Sequence, residues 1–195
     1  MNPKTASYSI VHYGVDYLSY GLRSIYDLMD ELHVFYSSHP SHGHRTTIQS
    51  IETREQIFEA AFDYDPRHKI IWHDTDFWNE GQQRDYAVQT LDNRGIDLIT
   101  VLDYDECWHD YVLDKTLQHV WNLNATRNNL INFLHLWRSF SFACTDNNWP
   151  VRIVDTRHAG GIGYVPKELG DIYHMGYCVT DKVMRYKWEC HGHKD

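Results

Sequence analysis

The sequence predicts an α/β fold, in which a mostly parallel sheet carries helices on both faces and a smaller lobe holds mixed strands. Through the first half of the chain, short apolar runs alternate with segments of helical periodicity, which is typical of βαβ units. The run from Ile96 to Leu102 is rich in apolar residues, as expected of a strand in the core. After Trp108 the alternation gives way to short strands with irregular connections. These observations together indicate the fold class.

In the first half, each predicted helix lies between two predicted strands. Apolar residues recur every three or four positions in the first helix, and Gly95 follows the last helix as a stop signal. In chain order, we expect a strand at Ser9–Tyr13, a helix at Tyr17–Asp30, a strand at Leu32–Tyr36, a helix at Glu52–Phe62, a strand at Lys69–Trp72, a helix at Gln82–Asn93 and a strand at Ile96–Leu102.

The second half is less regular, with several asparagines between Asn122 and Asn129. We expect a helix at His109–Val120, strands at Ile131–Phe142, Pro150–Val154, Gly163–Val165 and Ile172–Tyr177, and a closing helix at Thr180–Trp188 that Thr180 is placed to cap. A chain of 195 residues buries one sizeable core, so we predict a single domain over residues 1–195 with two lobes, about 8–108 and 109–195.

Composition narrows the class of protein. With 42% hydrophobic and 14% aromatic residues the chain is globular, and its formal charge of −9 argues against tight binding to nucleic acid. The cysteines lie far apart without a CxxC pair, which favours reduced thiols in a cytoplasmic protein. No apolar run is long enough to span a membrane, so we expect no transmembrane segment.

Three carboxylates follow the strand at Ile96–Leu102, in the segment Asp103-Tyr-Asp-Glu106. In an extended chain Asp103 and Asp105 point to the same side, where two hard oxygen ligands can share one divalent cation. Ligands of open α/β sheets bind beyond the carboxyl ends of the strands, where this segment lies. We therefore expect Asp103 and Asp105 to bind Mg²⁺ or Mn²⁺, which would in turn bridge a diphosphate. Glu106 would either support this metal site or begin a helix, where a carboxylate is favoured. The competing interpretation is an ordinary acidic turn.

These residues also carry a family resemblance. The order of elements up to Trp108, with Gly81-Gln-Gln-Arg84-Asp ahead of a strand that ends in Leu102-Asp-Tyr-Asp-Glu106, resembles family 2-like glycosyltransferases of the GT-A fold. The resemblance implies a nucleotide-sugar-binding half at about 8–108 and an acceptor half at about 109–195. It also implies transfer of a sugar from a UDP- or GDP-linked donor to a hydroxyl of a glycan, a lipid-linked or another acceptor, with Mn²⁺ or Mg²⁺ as cofactor.

The resemblance assigns several site residues. His174, in Ile172-Tyr-His174, would complete the metal site of Asp103 and Asp105, unless it is a core histidine. Arg84, near the start of its helix, would hold phosphate oxygens, unless it forms a solvent-exposed ion pair. Asp103 would also contact the diphosphate.

Further candidates lie near the two ends of the chain. Tyr13 and Asp16 follow the first strand, where the nucleoside would bind, although Asp16 is also placed to cap a helix. His191 and Lys194 would reach the diphosphate if the C-terminal segment folds over it. Asp146 is our candidate for the general base of an inverting reaction, with Asp155 as the other available carboxylate.

Two rival interpretations stay open. The first is a metal-dependent phosphoester hydrolase, in which the carboxylates act with histidines 39, 42, 44, 191 and 193. The second is a non-catalytic domain of the same fold that binds a glycan or a partner protein. Aromatic residues of the second half either stack on a sugar or belong to the core, namely Trp137, Phe140, Phe142, Trp149, Tyr164 and Tyr177.

Overall fold

The computed structural model describes residues 3–40, 50–77, 79–123, 125–144 and 147–190. Strands within these residues form two sheets. In chain order they are β1 (Thr5–Val11), β2 (Glu31–Ser37), β3 (Ile70–Thr75), β4 (Leu98–Val101), β5 (Glu106–Cys107), β6 (Asn128–Leu130), β7 (Phe133–Trp137), β8 (Ala143–Cys144), β9 (Val151–Asp155), β10 (Ile162–Tyr164) and β11 (Ile172–Tyr177).

The larger sheet has the strand order β10-β6-β9-β4-β1-β2-β3. Strand β1 pairs in parallel with β2 and β4, and β2 pairs in parallel with β3. Strand β9 runs antiparallel to both of its neighbours, β4 and β6, while β10 is parallel to β6. The prediction of a mostly parallel sheet is therefore confirmed, with β9 as the one reversed strand among the described residues.

Helices cover both faces of this sheet, as predicted. Their bounds are α1 (Leu18–Ile25), α2 (Arg54–Phe62), α3 (Glu80–Asp92), α4 (Asp110–Leu123) and α5 (Asp181–Cys190). Buried residues of α1, α2 and α4 share one core cluster, whereas Ala87 and Leu91 of α3 pack on the opposite face with Ala6 and Tyr8 of β1. No helix among the described residues combines the length and apolar character that a membrane crossing needs.

The smaller sheet has the order β5-β11-β7-β8 and mixes parallel and antiparallel pairs. Here the predicted long strand at Ile131–Phe142 is wrong, because the chain reverses after Trp137. Arg138 adopts a left-handed conformation with φ 59°, and the Trp137 N–H donates to the Phe142 carbonyl at 2.8 Å. The segment is thus a hairpin of β7 and β8.

Helix α5 closes the described chain over a separate small core. Val183, Tyr186 and Cys190 pack there against Tyr13, which follows β1. The Val183 N–H donates to the Thr180 hydroxyl at 3.4 Å, so Thr180 caps the helix as predicted. This packing places α5 beside the segment that follows β1.

Candidate functional site

The acidic segment after β4 is a turn. The strand ends at Val101, and the Glu106 N–H donates to the Asp103 carbonyl at 3.1 Å. Our expectation of an extended chain from Asp103 to Asp105 is therefore wrong, because this hydrogen bond folds the segment back into β5. Both Asp103 and Asp105 nevertheless line one cavity of about 170 Å³.

The cavity lies beyond the carboxyl ends of the neighbouring parallel strands β1 and β4, as the fold class predicts. Tyr13 reaches it from the end of β1 and Arg84 from α3. His174 enters from β11 and Lys187 from α5. Both sheets and two helices therefore contribute side chains to one site.

Asp103 is held between two guanidinium groups. Its Oδ1 accepts from Arg84 Nη2 at 3.0 Å, and its Oδ2 accepts from Arg152 Nη2 at 2.6 Å. Burial alone would raise the pKa of Asp103, but Arg152 and Arg84 outweigh burial and hold it well below the usual range. Asp103 is thus a carboxylate with both oxygens occupied.

Arg84 lies in the second turn of α3, because the helix begins at Glu80 rather than at Gln82. The cap of α3 is Asn79, whose side chain accepts from the Gln82 N–H at 2.9 Å. Arg84 Nε donates to Glu80 Oε1 at 2.7 Å while its Nη2 holds Asp103. Two carboxylates therefore fix the guanidinium at the cavity wall.

Glu106 is fully buried behind the site. Its Oε1 accepts from Arg152 Nη2 at 2.5 Å and from Arg152 Nε at 3.1 Å. Burial raises the pKa of Glu106 to about 8, although Arg152 opposes this shift. Because Glu106 lies in β5, it does not start a helix, and it supports the cavity through Arg152.

Asp105 is almost fully buried and contacts a second cation. Its Oδ2 accepts from Lys187 Nζ at 3.0 Å, and its Oδ1 lies 3.7 Å from His174 Nε2. Burial would raise the pKa of Asp105, but Lys187 and His174 outweigh it, so the pKa is lowered. Asp105 is therefore charged at neutral pH.

The His174 ring is held in its orientation by a hydrogen bond to a second histidine, His135. Its Nδ1 shares a hydrogen bond with His135 Nδ1 at 2.8 Å, and its ring stacks on Phe133 with centroids 5.1 Å apart. Burial lowers the pKa of His174, with Asp105 opposing the shift. A neutral imidazole with its Nε2 facing Asp105 has the form that binds transition metals.

The donor set fits a divalent cation only in part. No three His, Cys, Asp or Glu side chains within the described ranges come together as a complete metal site. Asp105 and His174 do face each other across the cavity, while Asp103 has both oxygens on arginines. Two protein ligands suit an ion such as Mn²⁺ or Mg²⁺ that takes its remaining ligands from substrate phosphates and water.

A glycine allows these groups to meet. A Cβ atom on Gly176 would lie 2.5 Å from His174 Cε1, and 2.7 Å from both Asp105 Oδ2 and Lys187 Nζ. Any other residue at this position would push His174, Asp105 and Lys187 apart. Gly176 therefore belongs to the site without contributing a side chain.

The remaining predicted residues are placed differently. Tyr13 is buried and lines the cavity, with its ring edge-on to Tyr104 at a centroid distance of 5.1 Å. Asp16 is exposed and lines a separate groove beside Tyr17 and Phe140. It does not cap α1, whose N-cap position is Tyr17 and has no side-chain cap bond.

Three predicted residues, Asp146, His191 and Lys194, lie outside the described residues. Of the histidines proposed for a hydrolytic centre, His39 lines the cavity and contacts Asp76. His42, His44, His191 and His193 lie outside the described part of the chain.

Several residues of the site were not anticipated from the sequence, among them His135, Arg152, Gly176 and Lys187. Arg152 had a usable signal, since it is a charged residue inside the apolar run Val-Arg-Ile-Val. Lys187 had none, because Lys182 and Arg185 on the same helix are equally plausible in sequence. Only the tertiary fold selects it.

Two of the candidate aromatic residues lie together next to the site. Trp137 and Tyr177 have ring centroids 4.9 Å apart, and Tyr177 lies 6.1 Å from the His174 ring. They are 46% and 39% exposed, unlike core aromatic residues. Phe140, Phe142 and Tyr164 are also exposed, and Tyr164 contacts Trp149.

No protein-family model and no curated protein matches this chain. Its fold is similar to several solved structures at low identity. A protein assigned as a nucleotide-diphospho-sugar transferase of Desulfovibrio desulfuricans G20 has a TM-score of 0.44 and 12% identity, over 80% of this chain and 65% of that one. S. aureus TarS 1-349 has a TM-score of 0.50 and 14% identity, over 78% and 47%. This chain therefore covers less than two thirds of either protein.

A third similar structure matches over nearly the full length of both chains. The 4-diphosphocytidyl-2C-methyl-D-erythritol synthase of Anaerococcus prevotii DSM 20548 has a TM-score of 0.52 and 10% identity, over 94% of each chain. At such identities a likeness shows the fold and nothing finer. The chain therefore shares the α/β fold of TarS 1-349 and of this synthase.

Proposed function

We propose that this protein transfers a sugar from a nucleoside-diphosphate sugar to a hydroxyl acceptor with the help of Mn²⁺ or Mg²⁺. One observation carries the proposal: two cations, Arg84 and Lys187, line the same cavity as the ligand pair Asp105 and His174. The cavity lies at the carboxyl ends of parallel strands, where open α/β sheets bind nucleotides. Phosphate oxygens and a divalent cation would therefore meet there.

The charge balance of the site supports a metal requirement. Arg84 and Arg152 are engaged with Asp103, and Lys187 is engaged with Asp105. An incoming diphosphate would bring negative charge that these paired cations neutralise only incompletely. A divalent cation held by Asp105 and His174 would supply the missing positive charge and stabilise the departing nucleoside diphosphate.

The residues of this chain would divide the work of binding. Arg84, held by Glu80 and Asp103, would present a fixed guanidinium to the phosphate oxygens. His135 would keep His174 turned towards Asp105. Glu106 would hold Arg152, and Arg152 would in turn hold Asp103 in place.

The acceptor would bind on the side of the smaller sheet. Trp137 and Tyr177 offer an exposed aromatic pair beside His174, and aromatic faces stack on the apolar faces of sugars. We propose a carbohydrate-bearing acceptor on this basis. Asp146 remains our proposal for the base of an inverting reaction.

A thermal-shift screen tests the function directly. Wild-type protein is heated with UDP, GDP or CDP, each with and without Mn²⁺, and we expect one nucleotide to raise the Tm only when the metal is present. Asp105→Asn should abolish this metal-dependent shift. Asp92→Asn, the same change at an exposed position of α3, should leave it intact.

Other outcomes of this screen, run also with CTP, and of an assay for phosphoester hydrolysis would overturn the proposal. Stabilisation by CTP alone would favour cytidylyl transfer, in view of the similarity to the diphosphocytidyl-methylerythritol synthase. Metal-dependent hydrolysis of phosphoesters by water would favour the hydrolase interpretation. No stabilisation by any nucleotide with metal would indicate a non-catalytic domain.

A further inference from the structure

The ammonium group of Lys187 is held by the protein at the edge of the cavity. It donates to Asp105 Oδ2 at 3.0 Å and to the Gly176 carbonyl at 3.2 Å. An ammonium has three N–H donors, and the described residues accept from it at these two positions. The group lies at the cavity, with its side chain only 13% exposed.

The lysine sits on the same carboxylate that would bind a divalent cation. Asp105 faces Lys187 through Oδ2 and His174 through Oδ1. An ammonium and a divalent cation on one carboxylate repel each other at short range. Each cation on Asp105 therefore weakens the binding of the other.

Helix α5 holds the lysine there independently of this ion pair. Next to Lys187, the Tyr186 hydroxyl lies 2.6 Å from His12 Nε2. His12 Nδ1 donates to the Ser37 carbonyl at 2.9 Å, so Nε2 accepts from the tyrosine. Val183 and Cys190 add apolar contacts to the same core. The helix thus stays docked when the Lys187 ammonium moves.

We propose that Lys187 is the counter-ion of Asp105 in the empty site and a diphosphate-binding residue in the loaded one. When the diphosphate enters, Lys187 turns its ammonium from Asp105 to a phosphate oxygen on its flexible four-carbon stem. This movement frees Asp105 and His174 for the divalent cation. Metal and diphosphate then bind together, and the metal alone binds weakly. The inference rests on the proposed function and deepens it.

Binding measurements on the full chain test this role without any assay of turnover. The probes are Mn²⁺ alone, followed by electron paramagnetic resonance of the free ion, and inorganic pyrophosphate with Mg²⁺, followed by calorimetry. We expect Lys187→Met to bind Mn²⁺ alone at least about tenfold more tightly than wild type, and to bind pyrophosphate at least about tenfold more weakly. A merely structural lysine would weaken both.

Two further variants control the experiment. Lys182→Met removes a lysine from the exposed face of α5 and should match wild type in both measurements. Lys187→Arg keeps the charge and should retain pyrophosphate binding with weak Mn²⁺ binding. If Lys187→Arg behaves like Lys187→Met, packing rather than charge is responsible and the inference is overturned.

The inference and the proposed function fail in different ways. If wild type binds no pyrophosphate with Mg²⁺, both are overturned. If wild type binds pyrophosphate and Lys187→Met matches it with both probes, the inference alone is overturned. Unfolding midpoints of all variants show whether the fold is intact.

Discussion

Replacing Arg152 by Met should destabilise the protein more than any exposed ion pair can. Arg152 is 5% exposed and binds Asp103 at 2.6 Å and Glu106 at 2.5 Å, and Glu106 is fully buried. Without Arg152, the charged form of Glu106 has no partner to offset its burial. At a pH above about 8, where Glu106 is ionised, breaking one side of this buried ion pair costs about 3–5 kcal/mol. That is a large share of the roughly 5–15 kcal/mol that stabilises a typical domain.

Urea unfolding followed by circular dichroism measures this loss. For a chain of this size, a loss of about 3–5 kcal/mol corresponds to a fall in Tm of about 6–20 °C. The matched control is Arg54→Met, since Arg54 forms an equally short pair with Asp74 at 2.6 Å, but at a surface where the side chains are 40% and 56% exposed. We expect a much smaller loss for the control.

The pH dependence of the stability loss in Arg152→Met tests whether Glu106 causes that loss. In wild type, burial raises the pKa of Glu106 to about 8, and removing Arg152 raises it further. Below this pKa the buried carboxyl carries a proton and does not need the arginine. The loss caused by Arg152→Met should therefore change little below about pH 8 and grow as the pH rises above 8, and Glu106→Gln in the same chain should remove this growth. A loss under about 1 kcal/mol, or one independent of pH, would refute the reasoning.

Two further predictions follow from the geometry. Gly176→Ala places a methyl group within 2.7 Å of Asp105 and Lys187, so we expect it to abolish the metal-dependent nucleotide shift, whereas Gly160→Ala, with no atom within 4 Å, should preserve that shift in the same thermal assay. Burial lowers the pKa of His73 to about 4, helped by the neighbouring His33. The folded state thus binds fewer protons than the unfolded chain, and we expect up to about 3 kcal/mol, reduced by solvent screening, to be lost as the pH falls from 6.5 towards 4. His73→Gln should flatten urea midpoints over that range, and an unchanged slope would count against the assignment.

Local patterns of the sequence were sufficient to predict the fold class. The alternation of strands and helices up to Leu102 depends on apolar periodicity, which each segment carries by itself. The hairpin of β7 and β8 was missed because its reversal at Arg138 uses a left-handed residue that is not glycine, in a segment without a glycine, proline or asparagine turn signal.

The site was only partly predictable for a related reason. The structure brings Arg84, Asp103, Asp105 and His174 to one cavity. Two further cations that neutralise the aspartates, Arg152 and Lys187, come from β9 and α5. Arg152 reaches Asp103 because β9 runs antiparallel to β4, so its first residues lie beside the end of that strand. Strand direction is a tertiary property that no local pattern of residues encodes.

The antiparallel strand β9 also determines which fragments of the chain can fold on their own. A fragment ending at Trp108 would keep the acidic turn, yet it would lose Arg152 and leave β4 as a bare sheet edge open to aggregation. The first half of the chain thus cannot be excised as a self-sufficient module. Any hybrid made by exchanging the second half of the chain must carry over β9 together with the first half.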